Sequence, residues 1–309
     1  MKIEDLIKIV NNKDEYSWSL YFFKKDRRNK EQPFSSYKKR YRNNSELNNY
    51  INGVINCVSN FQLGKLESIE SYNGMNANIV CDYIPLQSDL IKKEWNNFVQ
   101  CIKDASDSHF NGKINGYTIC GEPVNETLKP ITFIKFSSPI IELKNNKCIT
   151  YKDSPEEELD MLSDNYFRLY WSVDSLVYDD NFYTFNNSFE TIFDIEKSVQ
   201  KVKNKVVEKI INTNIIEKPD DFIAFSKSYK SPKAFISFDE ERLDRVKDLK
   251  ERQSVANDYS LQLSTDNKFI INENSDFKNF LDFICLKSVC ESGTKNIYKM
   301  NSATKQKDD

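Results

Sequence analysis

Short runs of alternating or helically spaced hydrophobic residues follow one another along the N-terminal half of the chain. Residues 16–23 are rich in aromatic side chains that partly alternate with polar ones, which is typical of a strand. Apolar residues recur at helical spacing within residues 45–60 and 87–104, so a helix is predicted in each. Further strands are predicted at residues 117–120, 131–136, 140–143 and 148–151. We expect Asn145 and Asn146 to form a hairpin turn between the last two, since Asn tolerates positive φ.

The C-terminal half also contains both alternating and helically spaced hydrophobic residues. A meander of strands is predicted at residues 167–173, 176–178 and 182–185, and a long helix at 194–212. The remaining predictions are strands at 222–226 and 234–238, a helix at 240–256, a hairpin of 260–264 with 268–271, a last helix at 277–286, and a polar tail at 295–309. Strands and helices do not alternate regularly, so the predicted class is α+β, with mixed short-strand sheets and amphipathic helices in two sub-domains.

A shift in charge marks the predicted domain boundary. Residues 153–196 contain twelve acidic residues and a single basic one, Arg168. We therefore predict an N-terminal α+β domain at residues 1–152, which includes a basic loop at 24–42, and a C-terminal α+β domain at 153–309.

Composition narrows the class of protein. The 21 Phe and 16 Tyr argue against disorder, which goes with few aromatic residues. The formal charge of −3 argues against a protein that coats nucleic acid with its whole surface. No apolar run approaches the ~18 residues of a membrane span, and residues 1–5 carry acids where a secretory signal has cations. We expect a soluble protein that stays in the cytoplasm unless a partner holds it at the membrane.

Most catalytic motifs are absent from the sequence. The closest approach to a phosphate-binding loop, residues 116–123, has Glu122 and Pro123 where Lys and Ser/Thr are needed. His109 is the single histidine and is expected to have an ordinary surface or capping role. The seven cysteines are scattered without a CxxC pair, as expected for reduced, mostly buried thiols. The sequence therefore predicts no catalytic residue, no metal and no cofactor.

One enzymatic alternative stays open. Glu142 and Lys144 form a Glu-x-Lys pair at the end of a predicted strand, as in many metal-dependent nucleases. In such enzymes carboxylates hold the metal, and the lysine supports the attacking water or the developing phosphate charge. The acid that would complete the site is Glu122 or Asp107, and neither has a supporting context. An ordinary charged strand end is the other interpretation.

The densest positive charge lies in the basic loop. Nine bases stand between Lys24 and Arg42, opposed only by Asp26 and Glu31, and aromatic residues are interleaved with them. Such a loop can neutralise DNA phosphates; it can also be a solvated loop or a surface that meets the acidic segment 153–196. The candidate DNA contacts are Lys24, Lys25, Arg27, Arg28, Lys38, Lys39, Arg40 and Arg42.

Two further lysine clusters lie in the C-terminal half. The predicted helix 194–212 has a lysine every four residues, which places them along one helical face. A lysine ladder can follow a phosphate backbone, although it is also how an amphipathic helix solvates its outer face. The candidates in these clusters are Lys197, Lys201, Lys205 and Lys209, followed by Lys227, Lys230 and Lys233. The protein sequence contains no obvious motif that recognises base edges. Any binding of DNA is therefore expected to be independent of the DNA sequence.

The C-terminal half resembles the KwaB family, the second component of the Kiwa anti-phage defence system. The similarity covers residues 166–305: the run 185–193 before a long helix, the run 235–238 with Arg242, Leu243 and Val246 after it, the turn at Asp266-Asn267 and the closing helix. The resemblance implies a cytoplasmic DNA-binding effector that self-associates, here expected as a homodimer. It also implies a membrane partner, KwaA, and interference with phage DNA replication and transcription. No family DNA contact maps to a particular lysine, so the candidates above are inferred from charge.

Three classes of function follow from the sequence: a DNA-binding effector, a metal-dependent nuclease, and a scaffold whose basic loop binds acidic lipids beneath a membrane protein. The acidic segment 153–196 is a candidate partner surface, or a gate that competes with DNA for the basic loop. If it is a gate, neutralising Glu156, Glu157 and Glu158 tightens DNA binding.

Overall fold

The structure is a computed structural model. The chain forms two compact units and is of α+β type, which confirms the predicted class. Unit 1 comprises Met1–Glu67, Pro85–Gln87 and Lys92–Phe193, and unit 2 comprises Ser68–Ile84, Ser88–Ile91 and Asp194–Asp309. The domain boundary expected at residue 152 lies outside the described residues and stays a prediction. The structure describes residues 1–39, 44–74, 80–105, 114–141, 148–151, 159–162, 166–285, 288–290, 297–301 and 304–307.

The described residues form short strands and mostly short helices. The strands are β1 (Tyr16–Lys25), β2 (Phe34–Lys39), β3 (Ser68–Ser71), β4 (Val80–Pro85), β5 (Gly116–Pro123), β6 (Ile131–Lys135), β7 (Ile140–Ile141), β8 (Cys148–Tyr151), β9 (Leu159–Leu162), β10 (Tyr166–Phe167), β11 (Ser175–Tyr178), β12 (Asn181–Thr184), β13 (Gln262–Leu263), β14 (Phe269–Ile270), β15 (Ser288–Cys290), β16 (Ile297–Asn301) and β17 (Thr304–Lys307). The α-helices are α1 (Ile3–Asn11), α2 (Asn44–Asn56), α3 (Lys92–Lys103), α4 (Ser188–Ile192), α5 (Ile195–Asn212), α6 (Pro219–Ser228), α7 (Glu240–Arg245), α8 (Leu249–Asp258) and α9 (Asn274–Ile284).

Short 3-10 and π-helical segments complete these elements. They are 3-10 helices at Lys13–Glu15, Leu63–Lys65 and Pro232–Ser237, and a π-helix at Cys57–Gln62. Among the described helices, none is both long enough and apolar enough to span a bilayer.

Unit 1 is built on antiparallel strands in the order β2-β1-β5-β6-β11-β12, with β2 at the edge. One face of these strands packs against α3 through aromatic side chains. Phe193 is fully buried, and its ring centroid lies 5.9 Å from Phe98, 5.7 Å from Phe136 and 5.5 Å from Phe182. Edge-to-face packing of such rings adds to the free energy gained from burying their area. This cluster therefore fixes α3 over the sheet.

Unit 2 is mainly helical around a separate apolar core. Phe222 of α6 packs on Phe277 and Phe280 of α9 at centroid distances of 5.0 and 5.6 Å. The same unit contains the parallel pair β3–β4 and the three-stranded antiparallel sheet β15-β16-β17. The sequence predicted only a polar tail where β16 and β17 lie.

Two predicted strands are helices instead. Residues 222–226 lie in α6, where Pro219 stands in the first turn with Asp220 and Asp221. Residues 234–238 fall in or next to a 3-10 helix that likewise begins with a proline. A proline at the first helical position and acids near the N-terminus favour a helix, and here they outweigh the strand preference of the aromatic residues.

Other predictions are wrong in their bounds or pairing. The helix expected at 240–256 is broken into α7 and α8, because the Asp248 carboxylate accepts hydrogen bonds from the Lys250 and Glu251 backbone N–H groups and starts a new helix. The strand expected at 167–173 is reduced to the short β10. The expected hairpin of β7 with β8 does not form, since β7 pairs with β10 and β8 with β9.

Candidate nucleic-acid interface

The β1–β2 hairpin ends in a loop that its own side chains shape. The Asp26 N–H donates to the Pro33 carbonyl oxygen over 2.8 Å, and the Asp26 carboxylate accepts from the Arg28 N–H over 3.0 Å. Asn29 Oδ1 accepts from the backbone N–H groups of Glu31 and Gln32 at 3.2 and 3.0 Å. These local bonds are typical of Asx turns. They give the loop a defined path between the two strands.

This loop presents cations to solvent. Arg27, Arg28 and Lys30 are exposed, and the Arg28 side chain is 93% exposed with its Nε 3.4 Å from Asp26 Oδ1. The Arg28 backbone N–H lowers the pKa of Asp26, and the nearby charges of Arg28 and Lys24 act in the same direction. Arg27 and Lys30 form no ion pair with a carboxylate in the described part of the chain.

Lys38 continues the basic surface along β2. It is exposed, stands opposite Tyr21 on β1 and holds its Nζ 5.7 Å from the centroid of that ring. No described carboxylate pairs with it. Lys39 ends β2, and Arg40 and Arg42 lie outside the described residues.

Lys25 differs sharply from its neighbours. Its side chain is only 3% exposed, and its Nζ lies 3.3 Å from Glu94 Oε2 and donates to the Ile192 carbonyl oxygen over 2.6 Å. The same ammonium sits 5.3 Å from the Phe34 ring centroid. A phosphate cannot reach this group without opening unit 1, so Lys25 is a structural cation. Lys24 is half-buried.

The lysines of α5 are exposed, but most have an acidic neighbour. Lys197 Nζ is 3.0 Å from Asp194, Lys205 Nζ is 2.5 Å from Asp89 and Lys209 Nζ is 2.8 Å from Glu240. Lys201 is exposed and forms no ion pair among the described residues. Helical periodicity therefore placed these lysines correctly on the outer face of the helix, without revealing their partners. It also missed Lys203 of the same helix, which is buried and has its pKa lowered by desolvation.

The third cluster is split by burial. Lys227 and Lys230 are exposed at the end of α6. Lys233 is half-buried, and its stem lies so close to Gly74 that a Cβ at that glycine would stand 2.6 Å from the Lys233 Cβ. The candidates thus form one cluster in unit 1 and two in unit 2.

The described residues offer little support for metal chemistry. No group of three or more His, Cys, Asp or Glu side chains in them could hold a metal ion. Several candidate residues lie outside the described part of the chain. For the nuclease alternative these are Glu142, Lys144 and Asp107, together with the single histidine, His109; for the gate they are Glu156, Glu157 and Glu158. The nuclease alternative and the gate therefore stay predictions.

Comparison with known proteins gives one match. A family model described as Kiwa protein KwaB-like matches residues 124–286, just over half of the chain. No curated protein and no solved structure matches the chain.

Proposed function

This chain belongs to the KwaB-like family of Kiwa anti-phage defence proteins, and from that premise we propose that it defends by binding DNA without sequence preference. Bound DNA would be occluded from the phage machinery that replicates and transcribes it. The family membership supports the defence role, and the surface of unit 1 supports the choice of DNA.

The observation that carries the proposal is the exposed basic surface of the β1–β2 hairpin. We define this surface by four exposed residues that lie within a stretch of twelve: Arg27, Arg28, Lys30 and Lys38. Lys38 is four residues along β2 from Phe34, about 13 Å at 3.3 Å per residue, so the surface extends from the loop along the strand. Arginine adds bidentate contacts to phosphate that a lysine cannot make.

The α5 lysines are a weaker candidate surface. Exposed ion pairs contribute only about 0–1 kcal/mol, so Lys197, Lys205 and Lys209 could exchange their partners for phosphate. The acids Asp89, Asp194 and Glu240 would however remain beside the DNA and repel it. We therefore assign the main phosphate contacts to the hairpin.

The test is a gel-shift titration of short duplex DNA at about 50 to 200 mM salt. Replacing Arg27, Arg28, Lys30 and Lys38 by Ala is expected to weaken binding about 100-fold near 0.1 M salt and to flatten the slope of log affinity against log salt by about three to four units. The matched control replaces Lys197, Lys201, Lys205 and Lys209 by Ala, with an expected slope change of less than about one unit. Equal losses in the two variants, or no binding by the wild type, would overturn the proposal.

We also propose that the chain acts as a homodimer with the membrane protein KwaA, as the family resemblance implies, and that KwaA recruits it from the cytoplasm to the membrane. Co-purification with tagged KwaA, with the mass of the isolated protein measured by light scattering, tests both statements. A monomer that KwaA does not retain would refute them.

A further inference from the structure

A cleft of about 420 Å³ opens within unit 1 between α3 and the face of the sheet. Trp95, Phe98 and Ile102 of α3 form one wall, and Cys120, Thr132 and Val177 form the floor. The volume falls in the range of about 300–1,000 Å³ that is usual for small-molecule sites, and an apolar lining with a few polar groups is their usual character.

Strand register builds the floor of the cleft. Cys120 of β5 stands opposite Thr132 of β6, which stands opposite Val177 of β11. Residues in one such row point to the same face of a sheet. The floor therefore belongs to the regular part of the sheet, and the site is set on rigid elements.

The mouth of the cleft is charged. Five charged residues line the cleft and are exposed, which places them at its mouth: the acids Glu122, Asp179 and Asp180 and the bases Lys103 and Lys129. Lys103 is the last residue of α3, so the negative end of that helix dipole also lies at this rim. The balance at the mouth favours a cation over an anion.

Two of these acids occupy a tight turn. Asp179 and Asp180 form the two-residue turn between β11 and β12, with φ values of 48° and 60°. Both positions of such a turn need positive φ, which Gly, Asn and Asp adopt more readily than other residues. The turn is held by the Leu86 N–H, which donates to the Asp180 carbonyl oxygen over 2.9 Å. The turn therefore holds two adjacent acids at a defined place beside the cleft.

The cleft is suited to binding rather than covalent chemistry. Burial raises the pKa of the Cys120 thiol to about 11, so the thiol stays protonated at neutral pH and is a poor nucleophile. The thiol still marks the floor and can report whether the cleft is occupied.

From the cavity, its charged mouth and the two acids of this turn, we propose that this cleft binds an organic cation. The aromatic body of the ligand enters between α3 and the sheet, and its ammonium group is held by Asp179 and Asp180. The charge of Lys38 reaches the Cys120 thiol and lowers its pKa, so one end of the hairpin surface lies near the cleft. The proposal itself rests on the cleft and does not require that the protein binds DNA.

The experiment compares three probes of nearly equal shape by isothermal titration: tryptamine, tryptophol and indole-3-acetate. Tryptamine is expected to bind most tightly and indole-3-acetate most weakly, with about a tenfold difference between them. Equal binding of the three probes, or preference for the anion, would overturn the proposal.

Variants locate the site. Replacing Asp179 and Asp180 by Asn keeps a residue that accepts positive φ, and should reduce tryptamine affinity to that of tryptophol. The matched control, Glu208→Gln with Asp220→Asn, removes two exposed acids of unit 2 and should leave it unchanged. Because the Cys120 thiol reacts slowly, its alkylation by iodoacetamide is followed over hours in a mildly alkaline buffer by peptide mass spectrometry. Tryptamine should slow this alkylation further while leaving that of Cys57 unaffected. Binding without protection of Cys120, or without loss in the Asn variant, would contradict the assignment.

Discussion

The hairpin surface and the α5 lysines look alike in the sequence and differ in the structure. Both are runs of exposed cations, yet in the described residues Arg27, Lys30 and Lys38 have no acidic partner, whereas Lys197, Lys205 and Lys209 each have one. The partner of Lys205, Asp89, is 116 residues away along the chain. The electrostatic potential of a basic cluster therefore depends on acids that distant parts of the chain bring to it.

The largest expected effect is the loss of stability on replacing Lys25. This change tests whether the buried Lys25 stabilises the fold or contacts DNA. The change Lys25→Met leaves Glu94 and the Ile192 carbonyl without their partner, which should lower the free energy of unfolding by about 3 kcal/mol in urea titrations. The control Lys38→Met, at an exposed position of the same hairpin, should cost less than about 0.5 kcal/mol. A stable Lys25→Met protein with weakened DNA binding would mean that Lys25 is a contact after all.

Removing the acidic partners of the α5 lysines should make these lysines bind DNA more as the hairpin surface does. A variant with Asp89→Asn, Asp194→Asn and Glu240→Gln frees three lysines, and DNA affinity should rise about tenfold at low salt, with a steeper salt slope. Asn also accepts the left-handed conformation that Asp194 adopts at φ 49°.

The matched control neutralises three acids of the same unit, Glu196, Glu208 and Glu217, which form no ion pair in the described part of the chain. An equal gain from the control variant would show that overall charge, and not the pairing, limits the α5 surface.

The smallest effect is expected at Asp26. The change Asp26→Asn removes the carboxylate that pairs with Arg28, while the amide oxygen can still accept from the Arg28 N–H and keep the loop in shape. DNA affinity should rise about two- to threefold in fluorescence anisotropy titrations, since the pair is exposed and weak. A loss of affinity would mean that Asp26 orders the loop mainly through its charge.

Local patterns were enough to predict much of the fold. Alternation identified β1, and helical spacing identified α5 to within one residue. Local patterns gave the wrong element at α6, where the helix-starting Pro219 outweighs the strand preference of the aromatic residues. They also gave the wrong pairing for β7, whose partner β10 is distant in the sequence.

The candidate site was predictable only in part, for the same reason. The exposure of Lys38 and Lys201 follows from local sequence, whereas the burial of Lys25 depends on Glu94, which is 69 residues away. The cleft depends on the register that aligns Cys120, Thr132 and Val177, which no single segment encodes.

Lysine footprinting tests the central claim most directly, because it reports both surfaces in one sample. The full-length protein is acetylated with and without duplex DNA, and each lysine is quantified by mass spectrometry. The account predicts that DNA protects Lys30 and Lys38, that Lys201 and Lys205 react equally in both samples, and that buried Lys25 reacts in neither. Protection of Lys201 and Lys205 with no change at Lys30 and Lys38 would contradict it.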